Sequence, residues 1–243
     1  MSLSFRRILT WIVAWIVPFA LILTAVRTVI NPWFVDFEYR TPGFPPDPFG
    51  FTQAERLTYS KIAIDYLLNN AGIDFLGNLH FPDGQTAPAF SCQFMTDCTR
   101  LYNERELQHM VDVKRVVQGA IKVWYASLAL LLVGGVWAWF GGWRKDYFRG
   151  LRLGGWITIV FIAFILLFVV AAFGVFFVFF HDVFFAPGTW TFYYSDTLIR
   201  LFPERFWRDT FLVVGTIAAG LALLAVWLGG LMERRNLPAP EHS

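Results

Sequence analysis

The sequence predicts an all-α integral membrane protein with four transmembrane helices and a small, mixed or irregular extracytoplasmic domain between helices 1 and 2. Two observations predict this class. The 243-residue chain is 56% hydrophobic and only 16% charged, whereas about a quarter of the residues in soluble domains are charged. Four apolar segments are also long enough to cross the roughly 30 Å of hydrocarbon in a bilayer, which takes about 20 helical residues.

The four apolar segments are the predicted spans. They cover residues 8–30, 116–140, 154–180 and 211–231. Arg6 and Arg7 precede the first apolar run and are compatible with a signal peptide. However, this run is longer than the apolar core of a signal peptide, and no clear small-residue cleavage site follows it. We therefore predict an uncleaved anchor.

Positive charges in the short connections predict the orientation. The loop 141–153 carries four basic residues and one acidic residue, and an arginine pair flanks each end of the chain. Alternating helices place these three clusters on one side, which the positive-inside rule assigns to the cytoplasm. Both termini, including a tail at 232–243, are therefore expected inside. The predicted outside segments are residues 31–115 and 181–208.

The first outside segment reads as three parts. Residues 31–50 are rich in proline and aromatic residues, and this density predicts neither a helix nor a central strand. Thr52 and Glu55 then form a capping-box pattern, which predicts a surface helix over about residues 53–69. After an irregular loop, a helix that begins near Asn103 is expected to continue unbroken into the second span.

The second outside segment predicts a short interfacial helix over residues 196–202. Ser195 or Asp196 can cap this helix, and Pro203 ends it. Its apolar side chains are expected to lie on the bilayer surface. These side chains are Leu198, Ile199, Leu201 and Phe202.

The only two cysteines, Cys92 and Cys98, both lie in the first outside segment. An even number of cysteines in an oxidising compartment predicts a disulfide, which here closes a small loop. The alternative is the redox pair of a quinone-linked thiol oxidase, but such enzymes relay electrons between two cysteine pairs. A structural disulfide is the favoured interpretation.

Two of the four histidines fall at equivalent places in the predicted topology. His109 precedes the second span and His181 directly follows the third, so both are expected at the outer interface. Glu106 and Asp112 lie three residues to either side of His109, on one helix face, and Asp182 is next to His181. A neighbouring acid favours the protonated form of an imidazole, so the pair is predicted to titrate near neutral pH and to supply one base and one acid.

Other chemistries are less well supported by the sequence. A metal site of His109, Asp112, His181 and Asp182, or a haem between the two histidines, is left open by the spacing. The chain has no nucleophile elbow, dinucleotide fingerprint or phosphate-binding loop. A net charge of +2 spread over many segments offers no face for nucleic acid. His80 and His242 are interpreted as residues of a surface loop and of the tail.

Three stretches of the sequence resemble the lipoprotein intramolecular transacylase family of bacterial membrane proteins. They are LYNERELQHMVDVKRV (residues 101–116), FFHDVFFAPGTWTF (179–192) and DTLIRLFPERFW (196–207). The segment GFTQAERLTYSKIAIDYL (50–67) also looks similar, and four spans in matching order extend the resemblance over most of the chain. The two histidine motifs are fairly specific, whereas the apolar segments are not.

The resemblance implies an enzyme without a cofactor. It would move the acyl chain from the sn-2 ester of a diacylglyceryl-cysteine, at the N-terminus of a lipoprotein, to the α-amine of that cysteine. The two essential histidines of the family correspond to His109 and His181. The implied setting is the outer face of the bacterial cytoplasmic membrane, with membrane lipids and the lipoprotein as partners. The resemblance does not assign a role to Cys92 and Cys98, and any role beyond a disulfide is left open.

The residues suggest roles in this reaction. We hypothesise that His109 is the general base for the amine and that His181 protonates the leaving oxygen or stabilises the oxyanion; the reverse assignment is also compatible. Asp112 and Asp182 are assigned to orienting the imidazoles. Arg105 and Lys114 are candidates for holding a carbonyl or headgroup. For each of these four, an interfacial charge network is at least as good an interpretation. The alternatives for the whole chain are a non-enzymatic membrane partner protein and a redox or haem protein.

Overall fold

Helices are the only regular elements of residues 1–235, the part of the chain that the computed structural model describes. In chain order they are α1 (Leu3–Val29), α2 (Pro32–Tyr39), α3 (Gln53–Leu68), α4 (Asp74–Gly77), α5 (Ala89–Cys92), α6 (Glu104–Phe140), α7 (Arg144–Ala171), α8 (Phe173–Phe184), α9 (Thr197–Leu201) and α10 (Glu204–Arg235). An isolated bridge pairs His80 with Arg100. Residues 236–243, which include His242 and most of the predicted tail, lie outside the described residues.

Four of these helices, α1, α6, α7 and α10, are long and apolar enough to cross a membrane. The prediction of an all-α, multi-pass membrane protein is confirmed at this level. α6 has 37 residues, which at 1.5 Å per residue makes it about 55 Å long. It is therefore much longer than the roughly 30 Å hydrocarbon layer. Its charged first part, residues 104–115, precedes the apolar segment predicted to span the membrane.

The third predicted span, residues 154–180, is not a single helix. α7 ends at Ala171, Ala172 adopts φ −153° and ψ 55°, and α8 begins at Phe173. Hydropathy is continuous across the break, so an apolar run carries no sign of it. The nearest residue with a low helix propensity is Gly174. As a result, His181 belongs to the separate short helix α8.

The chain divides into two compact units. In the described part, the first consists of residues 1–28, 120–168 and 212–235, and the second of residues 29–119 and 169–211. Glycines allow α1 and α7 to pack closely within the first unit. A Cβ on Gly150 would lie 2.8 Å from the Val13 Cβ, and one on Gly154 would lie 2.5 Å from the Val17 Cβ. These glycines are one turn apart, the spacing that lets membrane helices approach each other closely.

In the second unit, α2 shows that the prediction for residues 31–50 was wrong. Pro32 occupies the first helical position, where its missing N–H is not needed. Asn31 caps the helix because its side chain accepts a hydrogen bond from the Trp33 N–H at 3.4 Å. The remaining prolines of the segment all follow Tyr39. The capping box of Thr52 and Glu55 is present as predicted and starts α3.

α9 is part of the core of the second unit, which contradicts its predicted place on the bilayer surface. Leu198, Leu201 and Phe202 are all buried. The helix packs against α3, where the Arg56 Nε donates to the Arg200 carbonyl at 2.9 Å. The Tyr39 hydroxyl donates to the Leu201 carbonyl. A helix of five residues has too few internal hydrogen bonds to be stable alone, so these tertiary contacts hold it.

Candidate active site

His109 lies on α6 in a part of the helix whose start is firmly held. Asn103 and Glu106 form a reciprocal cap: the Asn103 Oδ1 accepts from the Glu106 N–H at 3.0 Å, and the Glu106 Oε2 accepts from the Asn103 N–H at 2.9 Å. The Glu106 Oε1 accepts from the Leu198 N–H at 2.7 Å, which ties α6 to α9. Burial raises the pKa of Glu106 to about 8, against the effect of these N–H groups. Glu106 therefore fixes the first turn of α6, one turn before His109.

His181 lies near the end of α8, and a hydrogen bond fixes its tautomer. The His181 Nδ1 is 2.8 Å from the Phe177 carbonyl oxygen. Because a carbonyl oxygen only accepts, Nδ1 must be the N–H donor. In the neutral ring, the Nε2 of His181 then carries a lone pair that is able to accept a proton.

The structure brings the two histidines together. Their ring centroids are 6.2 Å apart and their planes are inclined by 22°. Both side chains are nearly buried, with 8% of His109 and 9% of His181 exposed. These two residues lie on different helices of the second unit, so their proximity results from the tertiary fold.

Aromatic side chains surround the two imidazole rings. Phe185 lies against both, at 4.9 Å from the His109 ring and 5.6 Å from the His181 ring. Phe192 is 5.2 Å from the His109 ring, and Trp190 is 4.8 Å from the His181 ring. Two buried polar atoms here have no hydrogen-bond partner in the described chain, the His109 Nδ1 and the Trp190 Nε1. The histidines thus lie in an aromatic environment with unused hydrogen-bonding capacity.

Burial keeps both histidines neutral. It lowers the pKa of His109 to about 4, with a smaller contribution from His181 and an opposing one from Asp112. It also lowers the pKa of His181, against the bond to Phe177 and the charge of Asp182. The expectation that the acids poise the pair near neutral pH was wrong, because desolvation of the imidazolium outweighs the attraction of the carboxylates.

Arg105 lies one turn before His109 on the same face of α6. Its guanidinium contacts the buried carboxylate of Asp196 at 3.3 Å. Asp196 also accepts hydrogen bonds from the Ser91 hydroxyl at 2.9 Å and the Asn103 amide at 3.2 Å. A polar network therefore holds Arg105, and it also includes the Ser195 hydroxyl, which lies 2.7 Å from the Ser91 hydroxyl oxygen.

The other predicted supporting residues have different contacts. Asp112 pairs with Arg115 at 2.8 Å, and it makes no hydrogen bond to either histidine ring among the described residues. Asp182 is exposed and acts on His181 through its charge. Lys114 donates from its Nζ to the Ala71 carbonyl at 2.6 Å, just beyond the end of α3, and lies 4.0 Å from the ring of Tyr66.

Sequence reasoning missed the polar network and the aromatic frame. Asp196 was assigned only as a helix cap, and Glu106 only as a neighbour of His109. Trp190 and Phe192 were not singled out in the sequence as site residues. A usable signal existed, since Phe185, Trp190 and Phe192 fall in the same short motif as His181. Burial in this segment depends on how the chain folds back, which no local pattern reveals.

Cys92 and Cys98 are bonded to each other in the structure, at a Cα–Cα separation of 5.1 Å. The structure does not support the metal site that the spacing left open. Within residues 1–235, no three His, Cys, Asp or Glu side chains are grouped so as to hold a metal ion. His109, Asp112, His181 and Asp182 are therefore not assembled into one set of ligands.

The fold and the site together define a class of protein, a multi-pass membrane protein whose buried, neutral histidine pair is suited to proton transfer. The chain belongs to the lipoprotein intramolecular transacylase Lit family, whose sequence profile matches residues 11–207. It is accordingly an acyltransferase. This membership decides against a non-enzymatic partner protein and against a redox or haem protein.

Individual relatives agree with the family. An uncharacterized protein of Aquifex aeolicus (strain VF5) is 26% identical over 236 residues, which cover 94% of this chain and 96% of the relative. The membrane integral lipoprotein intramolecular transacylase Lit of Bacillus cereus has a similar structure, with a TM-score of 0.67 and 20% identity over 96% of this chain and 98% of that one. A variant of the same enzyme matches with a TM-score of 0.70, over 96% of this chain and 93% of the variant. At this identity the two structures establish a common fold.

Proposed function

We propose that the chain transfers the sn-2 acyl group of a diacylglyceryl-cysteine, the first residue of a bacterial lipoprotein, to the α-amine of the same cysteine. The observation that carries the proposal is the buried pair of His109 and His181, with ring centroids 6.2 Å apart, in a member of the transacylase family. The product is a lyso-form lipoprotein with an N-acylated cysteine and one acyl chain left on glycerol.

The reaction needs two proton movements and no covalent enzyme intermediate. The amine nitrogen attacks the sn-2 carbonyl carbon and forms a C–N bond, after which the bond from that carbon to the sn-2 oxygen breaks. The nitrogen loses one proton and the sn-2 oxygen gains one, so the protons balance. Because nucleophile and ester belong to one molecule, positioning them supplies much of the catalysis.

We assign the base to His181, which reverses the assignment favoured by the sequence. The bond from the His181 Nδ1 to the Phe177 carbonyl supports this choice, since it leaves the Nε2 lone pair as the basic atom. The same bond favours the imidazolium once Nε2 has taken a proton. This is the role of the group that orients a catalytic histidine.

His109 is assigned to the sn-2 oxygen, as a hydrogen-bond donor to the developing charge and then as the route for its proton. The pKa of His109 is lowered to about 4, so an imidazolium that forms on this ring during the reaction would readily pass its proton to the sn-2 oxygen. Its buried Nδ1 without a partner supports a role in binding substrate, because an unsatisfied polar atom in an apolar pocket costs roughly 1–3 kcal/mol. A donor that stabilises an oxyanion contributes about 10²–10³-fold to the rate.

The aromatic frame would keep water away from the reacting ester. Phe185, Trp190 and Phe192 all lie against the imidazole rings. Water in this pocket would hydrolyse the ester instead of allowing transfer to the amine. Asp112 and Asp182 would stabilise positive charge on the rings from a distance. Lys114, which is bonded to the chain just beyond α3, would support the site through the fold of the second unit.

We further propose that this site faces outward from the bacterial cytoplasmic membrane, with both termini in the cytoplasm. The arginine-rich loop 141–153 supports this orientation through the positive-inside rule. His109 lies in the charged part of α6 that precedes its apolar part. The acyl chains of the substrate would then remain among the membrane lipids while the cysteine reaches the histidines.

Mass spectrometry of lipoprotein N-termini tests the reaction. The chain is expressed in a host that makes only the diacylglyceryl form, with His109→Ala, His181→Ala and the control His80→Ala. His80 is an exposed loop histidine and a matched control. The wild type and His80→Ala are expected to yield N-acyl, S-monoacylglyceryl cysteine, and the other two variants are expected to lack it. Absence of this product with the wild type rejects the reaction, and its presence with both site variants rejects the site.

A further inference from the structure

The half-exposed surface formed by Phe90, Phe94, Arg105 and Tyr193, which we call the platform, lies beside the histidine pair. Phe94 stacks on Tyr193 at 5.5 Å, and Phe90 meets Tyr193 edge-on at 4.7 Å. The Arg105 guanidinium lies 5.0 Å from the Tyr193 ring and 5.7 Å from the Phe94 ring. About half of Phe90 and Phe94 and 44% of the Arg105 side chain are exposed. The platform is thus an open aromatic surface with a charge at its edge.

The platform is built on a rigid support. Asp196, which is fully buried, accepts from the Tyr193 N–H at 2.9 Å and from Arg105 at 3.3 Å. The disulfide of Cys92 and Cys98 closes the loop that carries Phe94. Arg105 has five N–H donors in a planar fork. The hydrogen bond to Asp196 leaves four of these donors without a partner in the described chain.

The direction of α6 determines what must pass over this surface. From His109 the helix runs one way into its apolar part and the other way to its charged start, where Arg105 lies about 6 Å away along the axis. The acyl chains of the substrate are expected to extend from His109 along the apolar part of α6. The polypeptide that follows the modified cysteine is expected to extend the other way, toward the charged start of the helix.

The length of an extended peptide matches the separation between the histidine pair and Arg105. An extended chain advances about 3.3–3.6 Å per residue. If the cysteine amine is at the histidines, the next two or three residues are within reach of Arg105 and the aromatic rings. Residues four apart on a helix share a face, so Arg105 and His109 point to the same side of α6.

We propose that the platform binds the backbone of the lipoprotein immediately after its modified cysteine, and so positions the α-amine at the histidine pair. The Arg105 donors match backbone carbonyl oxygens, and the flat rings pack against side chains of any kind. This occupant rests on the proposed function, because the position of the cysteine at the histidines is part of it. Recognition of backbone rather than side chains predicts that lipoproteins of different sequence are accepted.

Two substrates test the platform with the purified full chain in mixed micelles. One is a diacylglyceryl-cysteine amide with no further residue, and the other carries the same lipid followed by a short uncharged peptide. The variants are Arg105→Ala, Arg105→Lys and Phe94→Ser. The control is Arg144→Ala, which removes an arginine that also lies over an aromatic ring, Trp139, but in the first unit.

The wild type is expected to use the lipopeptide with a kcat/KM roughly tenfold above that for the amide, the ratio that corresponds to one good contact. Arg105→Ala and Phe94→Ser are expected to lose roughly tenfold more on the lipopeptide than on the amide, through KM rather than kcat. Arg105→Lys is expected to keep part of the preference, and Arg144→Ala all of it.

Equal use of both substrates by the wild type overturns the platform while leaving the transacylase reaction intact. Equal losses on both substrates in Arg105→Ala and Phe94→Ser also overturn it, since they assign the surface to the fold or to contact with lipid. If the wild type acylates neither substrate, the proposed function fails, and the platform fails with it. Because each variant is compared across two substrates, a partly misfolded preparation does not imitate the expected result.

Discussion

Different interactions stabilise each of the two units of the chain. In the first unit, α1 and α7 pack so closely at Gly150 and Gly154 that neither position has room for a side chain. In the second, buried polar groups form networks, such as Arg200 and Asp47, which pair at 2.9 Å with almost no exposure. Packing of small residues brings apolar helices close in lipid. Hydrogen-bond networks fix directions, and the histidine pair lies in the unit that has them.

The largest effect is expected at the histidines and separates their two roles. His181→Gln and His109→Gln both remove a base, but glutamine still donates a hydrogen bond. If His181 is the base, His181→Gln and His181→Ala are expected to lose the same activity relative to the wild type, about 10²–10⁴-fold in kcat. His109→Gln retains roughly ten times the kcat of His109→Ala. The reverse pattern returns the base to His109. Unchanged thermal unfolding of all four variants is the control.

The next largest effect is expected on the stability of the first unit. In Gly154→Leu, the new Cβ would lie 2.5 Å from the Val17 Cβ and 2.8 Å from the Ala14 carbonyl oxygen. Overpacking of this kind lowers the free energy of unfolding by about 1–3 kcal/mol, which is several degrees of Tm for a chain of this size. The matched control is Gly220→Leu, where nothing lies within 4 Å of a Cβ. Equal Tm values for the two variants in detergent would show that α1 and α7 do not pack as described.

The dependence of kcat/KM on pH tests the protonation state of the two histidines in the second unit. The substrate amine has an ordinary pKa of about 8, so log kcat/KM is expected to rise with a slope of one up to that pH. The pKa of His109, lowered to about 4, keeps its ring neutral at pH 6, and burial also moves the pKa of His181 below its ordinary value. No second break is therefore expected near pH 6.5. A slope of two below pH 6.5, measured with the lipopeptide, would mean that a histidine titrates in its ordinary range.

The smallest effect is expected at Lys114. Its bond to the Ala71 carbonyl, at 2.6 Å, anchors the segment after α3. Lys114→Met keeps the aliphatic stem and removes this bond, so a loss of about 1 kcal/mol in the free energy of unfolding is expected. Activity at low temperature should change by less than roughly threefold, within what about 0.6 kcal/mol alters. A large loss of kcat with an unchanged Tm would instead place Lys114 at the substrate.

The sequence predicted most where one property decides the structure. Long, mostly apolar segments predicted four long helices, and Thr52 with Glu55 predicted the start of α3 because a capping box is a local arrangement. Prediction failed at residues 31–50, where the density of prolines concealed that Pro32 stands at the first position of α2. It also failed at Ala172, where the helix breaks inside a continuous apolar run.

The candidate site divides in the same way. His109 and His181 were selected from the sequence because one precedes the second predicted span and the other follows the third, which places both on the same predicted side. Their protonation was predicted wrongly, since the sequence shows the acids beside them but not the aromatic rings that bury them. Asp196 and Trp190 were not selected, because each acquires its place beside the site only through contacts made after the chain has folded.

The sequence by itself determined the membrane class, the four apolar helices and the two histidines, because hydropathy and helix capping depend on residues close together in the chain. Only the tertiary structure decided that the two rings face each other at 6.2 Å, that burial keeps them neutral, and that the carbonyl of Phe177 selects the basic nitrogen of His181. These properties depend on distance and desolvation between residues far apart in the sequence. Local patterns carry no information about either quantity.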